Sequence, residues 1–217
     1  MKRLLSLIFV LCLCLSLCAC GEEAPAVIRD TTPTVEKPPV PADAKTVAGT
    51  YQSRLWFMDH AITLQENGDS TYGDQEGYFT YTEPSVSLLG KDGTTRNFLV
   101  ENGYLYTFDS GYFDADTTYG TTFTPDADGR TDQAFIGKTD GNIPGSDYNW
   151  ILLDLNTDGT FSLQLGNETG DSPEIKETFE GKYTVGKYTL TLTYQGKDYT
   201  LITSNANYIY FCIYDKA

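Results

Sequence analysis

The sequence is poor in the residues on which most catalysis and metal binding draw. Its 217 residues include a single histidine, His60, and two methionines. Any Ser or Cys nucleophile would need His60 as its base, yet there is no Gly-x-Ser-x-Gly elbow. The chain therefore reads as a protein that is not an enzyme, with no cofactor and with His60 as a surface turn residue. Basic side chains are also scarce: Lys+Arg 15 against Asp+Glu 30 leaves a net charge of -15. Phosphate backbones repel such a surface, which excludes nucleic acid as a partner. Four of the five cysteines, Cys12, Cys14, Cys18 and Cys20, fall within the first twenty residues. The thiol left downstream, Cys212, has no cysteine to pair with there and sits in an apolar run, Tyr208 to Tyr214, where it reads as a small buried hydrophobe. Helical periodicity is nearly absent, and only Asp171-Ser172-Pro173-Glu174 offers a helix start, with Asp171 as cap and Pro173 at the first position.

What the first twenty residues do contain is an address. Lys2 and Arg3 precede an apolar stretch from Leu4 to Leu17, and Leu17-Cys18-Ala19-Cys20 follows. This tetrad resembles the lipobox of bacterial lipoproteins. The resemblance implies a signal peptide over residues 1-19, cleavage before Cys20, and a diacylglyceryl group on the Cys20 sulfur as the lipid attachment. The membrane is then a partner through that anchor, and the location is extracytoplasmic, on the outer face of the bacterial membrane. Residues 20-45 hold Pro25, Pro33, Pro38, Pro39 and Pro41, five of the nine prolines, and read as an extended tether.

From Val47 onward the dominant period is two. Phe161, Leu163 and Leu165 alternate with Ser162 and Gln164, and Leu190 and Leu192 alternate with Thr189, Thr191 and Thr193. Turn signals fall between the runs at Asn67-Gly68, Asp92-Gly93, Asn102-Gly103, Asp158-Gly159 and Gln195-Gly196. An internal repeat aligns Glu76-Gly77-Tyr78-Phe79-Thr80-Tyr81 with Glu180-Gly181-Lys182-Tyr183-Thr184-Val185, and Tyr104-Leu105-Tyr106 with Tyr208-Ile209-Tyr210. The expected fold is all-β with little or no helix: an antiparallel meander barrel or half-open barrel over residues 46-217. Repeat one spans 47-108, an acidic connector 109-147 and repeat two 148-214. Because one meander leaves an apolar face and two edges open, the two copies are expected to pair into a single barrel. The Gly-turn hairpins behind a lipobox and a Pro/Thr stalk resemble the lipocalin-like domains of bacterial surface lipoproteins. The resemblance implies a barrel with room for an apolar or aromatic ligand.

Two oxygen-rich loops need weighing. Asp154-Leu155-Asn156-Thr157-Asp158-Gly159 matches the first half of a calcium loop, but Leu165 stands where the bidentate carboxylate belongs, so a hairpin turn is expected. Asp126, Asp128 and Asp132 lie in the connector, which carries eight Asp against Arg130 and Lys138 and reads as a solvated segment. No metal is assigned. The candidate ligand-binding residues are Trp56, Trp150, Tyr188 and Tyr194, supported by Tyr81, Tyr106 and Tyr210. Their rigid amphipathic rings suit a small-molecule, sugar or protein ligand, while core and cross-strand packing is the alternative. The expected function is a lipid-anchored binding module. An envelope interaction or inhibitor protein with a filled barrel, and calcium-dependent carbohydrate binding, are the rivals.

Overall fold

In the computed structural model, the residues described are 35-107, 109-115, 132-139, 141-169, 172-204 and 208-217. The expected signal peptide, the expected lipid attachment at Cys20 and most of the expected tether lie outside them, as do Asp126 and Asp128. The expected all-β architecture is present: among the described residues there are sixteen antiparallel strands and one short helix, α1 (Ala44–Val47). The first meander comprises β1 (Gly49–Ser53), β2 (Ala61–Leu64), β3 (Asp69–Tyr72), β4 (Gln75–Thr82), β5 (Ser85–Gly90), β6 (Thr95–Glu101) and β7 (Tyr104–Thr107). There follow β8 (Tyr112–Ala115), β9 (Gln133–Lys138), β10 (Trp150–Leu155), β11 (Thr160–Thr169) and β12 (Ser172–Val185). The chain ends with β13 (Thr189–Tyr194), β14 (Lys197–Thr203), β15 (Tyr208–Tyr210) and β16 (Ile213–Lys216).

Each repeat closes its own eight-stranded barrel, where the sequence led us to expect the pair to share one. The reason is an exchange of strands. β1 to β7 need an eighth strand and receive β16, which pairs with β7 and β1. β9 to β15 need one as well and receive β8, which pairs with β15 and β9. The acidic connector thus contributes two strands to the second barrel, and the run from Tyr208 to Tyr214 is two strands in two barrels. The repeat is preserved strand for strand: Gly77 on β4 and Gly181 on β12 are both denied a Cβ by a carbonyl of the next strand, Leu89 O and Thr193 O, each 2.4 Å from where that Cβ would lie.

The exchange creates one ribbon common to both barrels. β7 leads into β8, β15 leads into β16, and the two paths run antiparallel through the junction. There Phe211 N and Cys212 N donate to Gly111 O at 2.9 and 3.1 Å, and Thr107 N donates to Cys212 O at 3.2 Å. Gly111 has φ +76°, and a Cβ on it would lie 2.2 Å from Cys212 Sγ, so no other residue fits where the ribbon crosses over.

Alternation fills both interiors. Tyr51, Ile62, Phe79, Val86, Phe98 and Leu105 in the first barrel, and Phe113, Phe135, Leu153, Leu163, Leu190 and Leu192 in the second, are at most 1% exposed. An eight-stranded barrel is just wide enough for such side chains to occupy it. α1 adds Ala44 and Val47 to this core, and the Tyr51 hydroxyl donates to Val47 O at 2.7 Å. The expected helix after Asp171 is instead the start of β12. Pro173 is tolerated because its stretch pairs only with β11, while β13 joins β12 no earlier than Lys182, so the proline faces an open edge.

Between the barrels, the loop after β1 supplies two ties. Arg54 donates from Nε and Nη2 to the Asp215 carboxylate at 2.9 and 2.5 Å, and from Nη1 to Thr200 O on β14 at 2.7 Å. A bidentate pair of this kind fixes geometry better than an exposed lysine contact. Beside it, Trp56 packs against Phe161, Phe179, Tyr194 and Tyr199 of the second barrel.

Candidate functional site

With both interiors occupied by side chains, the surfaces able to meet a ligand are outside. The outer face of the shared ribbon carries a row of tyrosines from the first barrel to the second. Ring centroids step from Tyr104 to Tyr106 by 6.0 Å, to Tyr210 by 6.2 Å, to Tyr112 by 6.3 Å and to Tyr208 by 5.0 Å. Period-two alternation places them there: Leu105 and Ile209 point into the cores, so Tyr104, Tyr106, Tyr208 and Tyr210 point out. All five are half-buried. The rings meet at 42° to 70°, the tilted and edge-to-face arrangements that aromatic quadrupoles favour.

Burial raises the pKa of Tyr104 and Tyr106, with the Glu101 carboxylate adding to it, and Tyr112 is raised by burial, Tyr208 and Asp114. These three phenols are therefore protonated donors beside carboxylate acceptors. Arg54 caps one end of the row, its guanidinium 5.1 Å from the Tyr104 ring.

The four candidates from the sequence are not brought together into one site. Trp56 and Tyr194 stack at 4.6 Å within the inter-barrel cluster, so their contact ties the barrels together. Trp150 opens β10 on the outer surface, near Ile136 and Lys138. Tyr188 is 51% exposed in the β12–β13 turn, with Lys187 Nζ 5.0 Å from its ring. Tyr106 and Tyr210, named only as supporting aromatics, are in the row. Its completion by Tyr104, Tyr112 and Tyr208 depends on the strand exchange, which no local pattern announces.

The remaining candidates resolve as follows. Asp154 to Gly159 is a hairpin turn: Asp158 Oδ1 accepts from Thr160 N and Oγ1 at 2.9 and 2.6 Å, and Gly159 has φ +82°. Asp132 precedes β9 and lines a surface cavity with Trp150 and Pro173. Among the described residues no three His, Cys, Asp or Glu side chains converge as a metal site. His60 is buried, contrary to the expected surface turn. Its ring lies 4.1 Å from that of Tyr72, and Nδ1 has no hydrogen-bond partner, so burial, with Arg96 nearby, lowers its pKa to about 4. Cys212 is buried as expected, its thiol pushed up to about 12 by desolvation. Comparison with protein-family models, curated proteins and solved structures returns no match. Among the described residues no helix is long and apolar enough to cross a membrane.

Proposed function

We propose that this chain is a non-enzymatic binding module, anchored to the outer face of a bacterial membrane through lipid on Cys20, that holds a neutral envelope glycan against its tyrosine row. The observation that carries the reading is the row itself, which crosses both barrels on the one element they share. Rigid aromatic faces bind extended, hydroxyl-rich polymers by stacking at low conformational cost. Carboxylates at Glu101, Asp114 and Asp215 can accept from sugar hydroxyls, whereas a net charge of -15 disfavours anionic polymers. The packed interiors support binding on the outer face over the lumen site that the lipocalin resemblance implies.

Co-sedimentation with insoluble bacterial cell-wall glycan tests this. Truncating two central anchors, Tyr106→Ala with Tyr210→Ala, is expected to weaken binding by at least about tenfold, since aromatic anchors at the centre of an interface each contribute on the order of 1 kcal/mol or more. Tyr188→Ala, on an exposed turn away from the row, is expected to bind as the parent does. Equal retention of the parent and the double variant refutes the assignment.

A further inference from the structure

A cleft of ≈380 Å³ opens where the two barrels meet, a volume within the range of small-molecule sites, about 300 to 1,000 Å³. Tyr72 and, from the loop after β9, Pro144 supply its apolar surface, with Phe98 and Cys212 buried beneath it at 1% and 2% exposure. Arg96 from β6 and Lys138 from β9 enter it from opposite barrels. Neither cation is ion-paired to a described residue. In a chain with Asp+Glu 30, two cations facing one cavity are out of keeping with the rest of the surface.

Arg96 is also held in place before any ligand arrives. Its guanidinium stacks 4.4 Å from the centre of the Tyr72 ring, and Nη1 donates to Thr94 Oγ1 at 3.1 Å. The Tyr72 hydroxyl also engages the guanidinium, and the remaining N–H groups of the fork are left to bind something planar and anionic. The Arg96 charge is felt beyond the cleft, where after burial it is the next cause of the lowered pKa of His60. Asp109 shares the cleft and is fixed by Asn97 Nδ2, which donates to its Oδ2 at 3.0 Å. A carboxylate standing there repels a dianion more than a monoanion, which selects a carboxylate over a phosphate.

We propose that this cleft is a second binding site, bordering the tyrosine row at Tyr112, for a small aromatic monocarboxylate. The ligand carboxylate is taken by the Arg96 fork and the Lys138 ammonium, and its ring lies against Tyr72 and Pro144.

Calorimetric titration of the full chain with benzoate, benzylamine and inorganic phosphate tests the assignment. Benzoate is expected to bind saturably at millimolar concentration or below, phosphate more weakly and benzylamine not at all. Arg96→Leu is expected to weaken benzoate at least tenfold, and Arg96→Lys, which keeps the charge but loses the fork, to weaken it by less. Asp109→Asn is expected to tighten it, a gain that damage to the fold cannot imitate. Failure of benzoate to bind, tighter binding of phosphate or benzylamine, or an affinity unchanged in both Arg96→Leu and Asp109→Asn overturns the proposal. Tyr106 and Tyr210 do not line the cleft, so this result and that of the glycan experiment stand or fall separately.

Discussion

Gly111→Ala puts the shared ribbon under the sharpest stress a single methyl can apply. The backbone at Gly111 has φ +76°, where an L side chain is strained by roughly 1 to 2 kcal/mol. The new Cβ would also lie 2.2 Å from Cys212 Sγ and 2.5 Å from its Cβ, with Thr107 Cγ2 at 3.5 Å. Neither neighbour can swing away, because Cys212 is buried and its N–H is bonded to Gly111 O. Overpacking of this kind adds roughly 1 to 3 kcal/mol, so the loss should total about 2 to 5 kcal/mol. Equilibrium urea unfolding of the variant and its parent measures it. Cys212→Gly removes the obstructing atoms, so combining the two changes should recover the contact part and leave the backbone part. The double-mutant cycle should therefore show a coupling of about 1 kcal/mol or more. A loss below about 1 kcal/mol for Gly111→Ala, or strict additivity in the cycle, would refute the crossing geometry and with it the strand exchange.

Other substitutions probe the rest of the molecule. Leu192→Ala, at 0% exposure, should cost about 2 to 5 kcal/mol, and Thr191→Ala, half-buried beside Thr200, under about 1 kcal/mol, as read by urea midpoints. His60 has a folded pKa of about 4 against 6.5, so its stabilising effect is complete above pH 6.5 and is lost as pH falls toward 4. The decline attributable to it, about 3 kcal/mol over that window, is expected in the parent and absent from His60→Gln when the two stability-pH curves are subtracted. With its thiol raised to about 12 and buried, Cys212 should react with an aromatic disulfide at pH 8 only at the rate of unfolding; fast labelling of the native protein would contradict the packing at the junction.

Turn chemistry made the strands legible. The five dipeptides Asn67-Gly68, Asp92-Gly93, Asn102-Gly103, Asp158-Gly159 and Gln195-Gly196 all place their glycine at φ between +77° and +87°, a region that a side chain resists. The alternation of Leu190 and Leu192 with threonines named the inner face correctly, since both leucines are fully buried. Closure was not legible, because it depends on which strand lies beside which. β8 and β16 are four residues each, and their partners lie far away in sequence, as with Tyr208↔Asp114 and Tyr214↔Leu105. Pro173 misled for a related reason: its fitness for a helix start is local, whereas its acceptance in β12 depends on an edge that only the barrel defines. The tyrosine row shares this origin. Each member could be named from the sequence, but their adjacency needed the ribbon.

Whether a ligand meets the outer tyrosines or the lumens is read most directly by NMR of protein carrying labelled tyrosine rings, titrated with soluble cell-wall glycan fragments. Tyr106, Tyr112, Tyr208 and Tyr210 are expected to shift together with one saturation curve, while Tyr51 and Tyr214, at 1% and 0% exposure inside the first barrel, stay in place. Movement of the interior rings with the outer row unchanged would contradict the assignment and put the binding site inside a barrel.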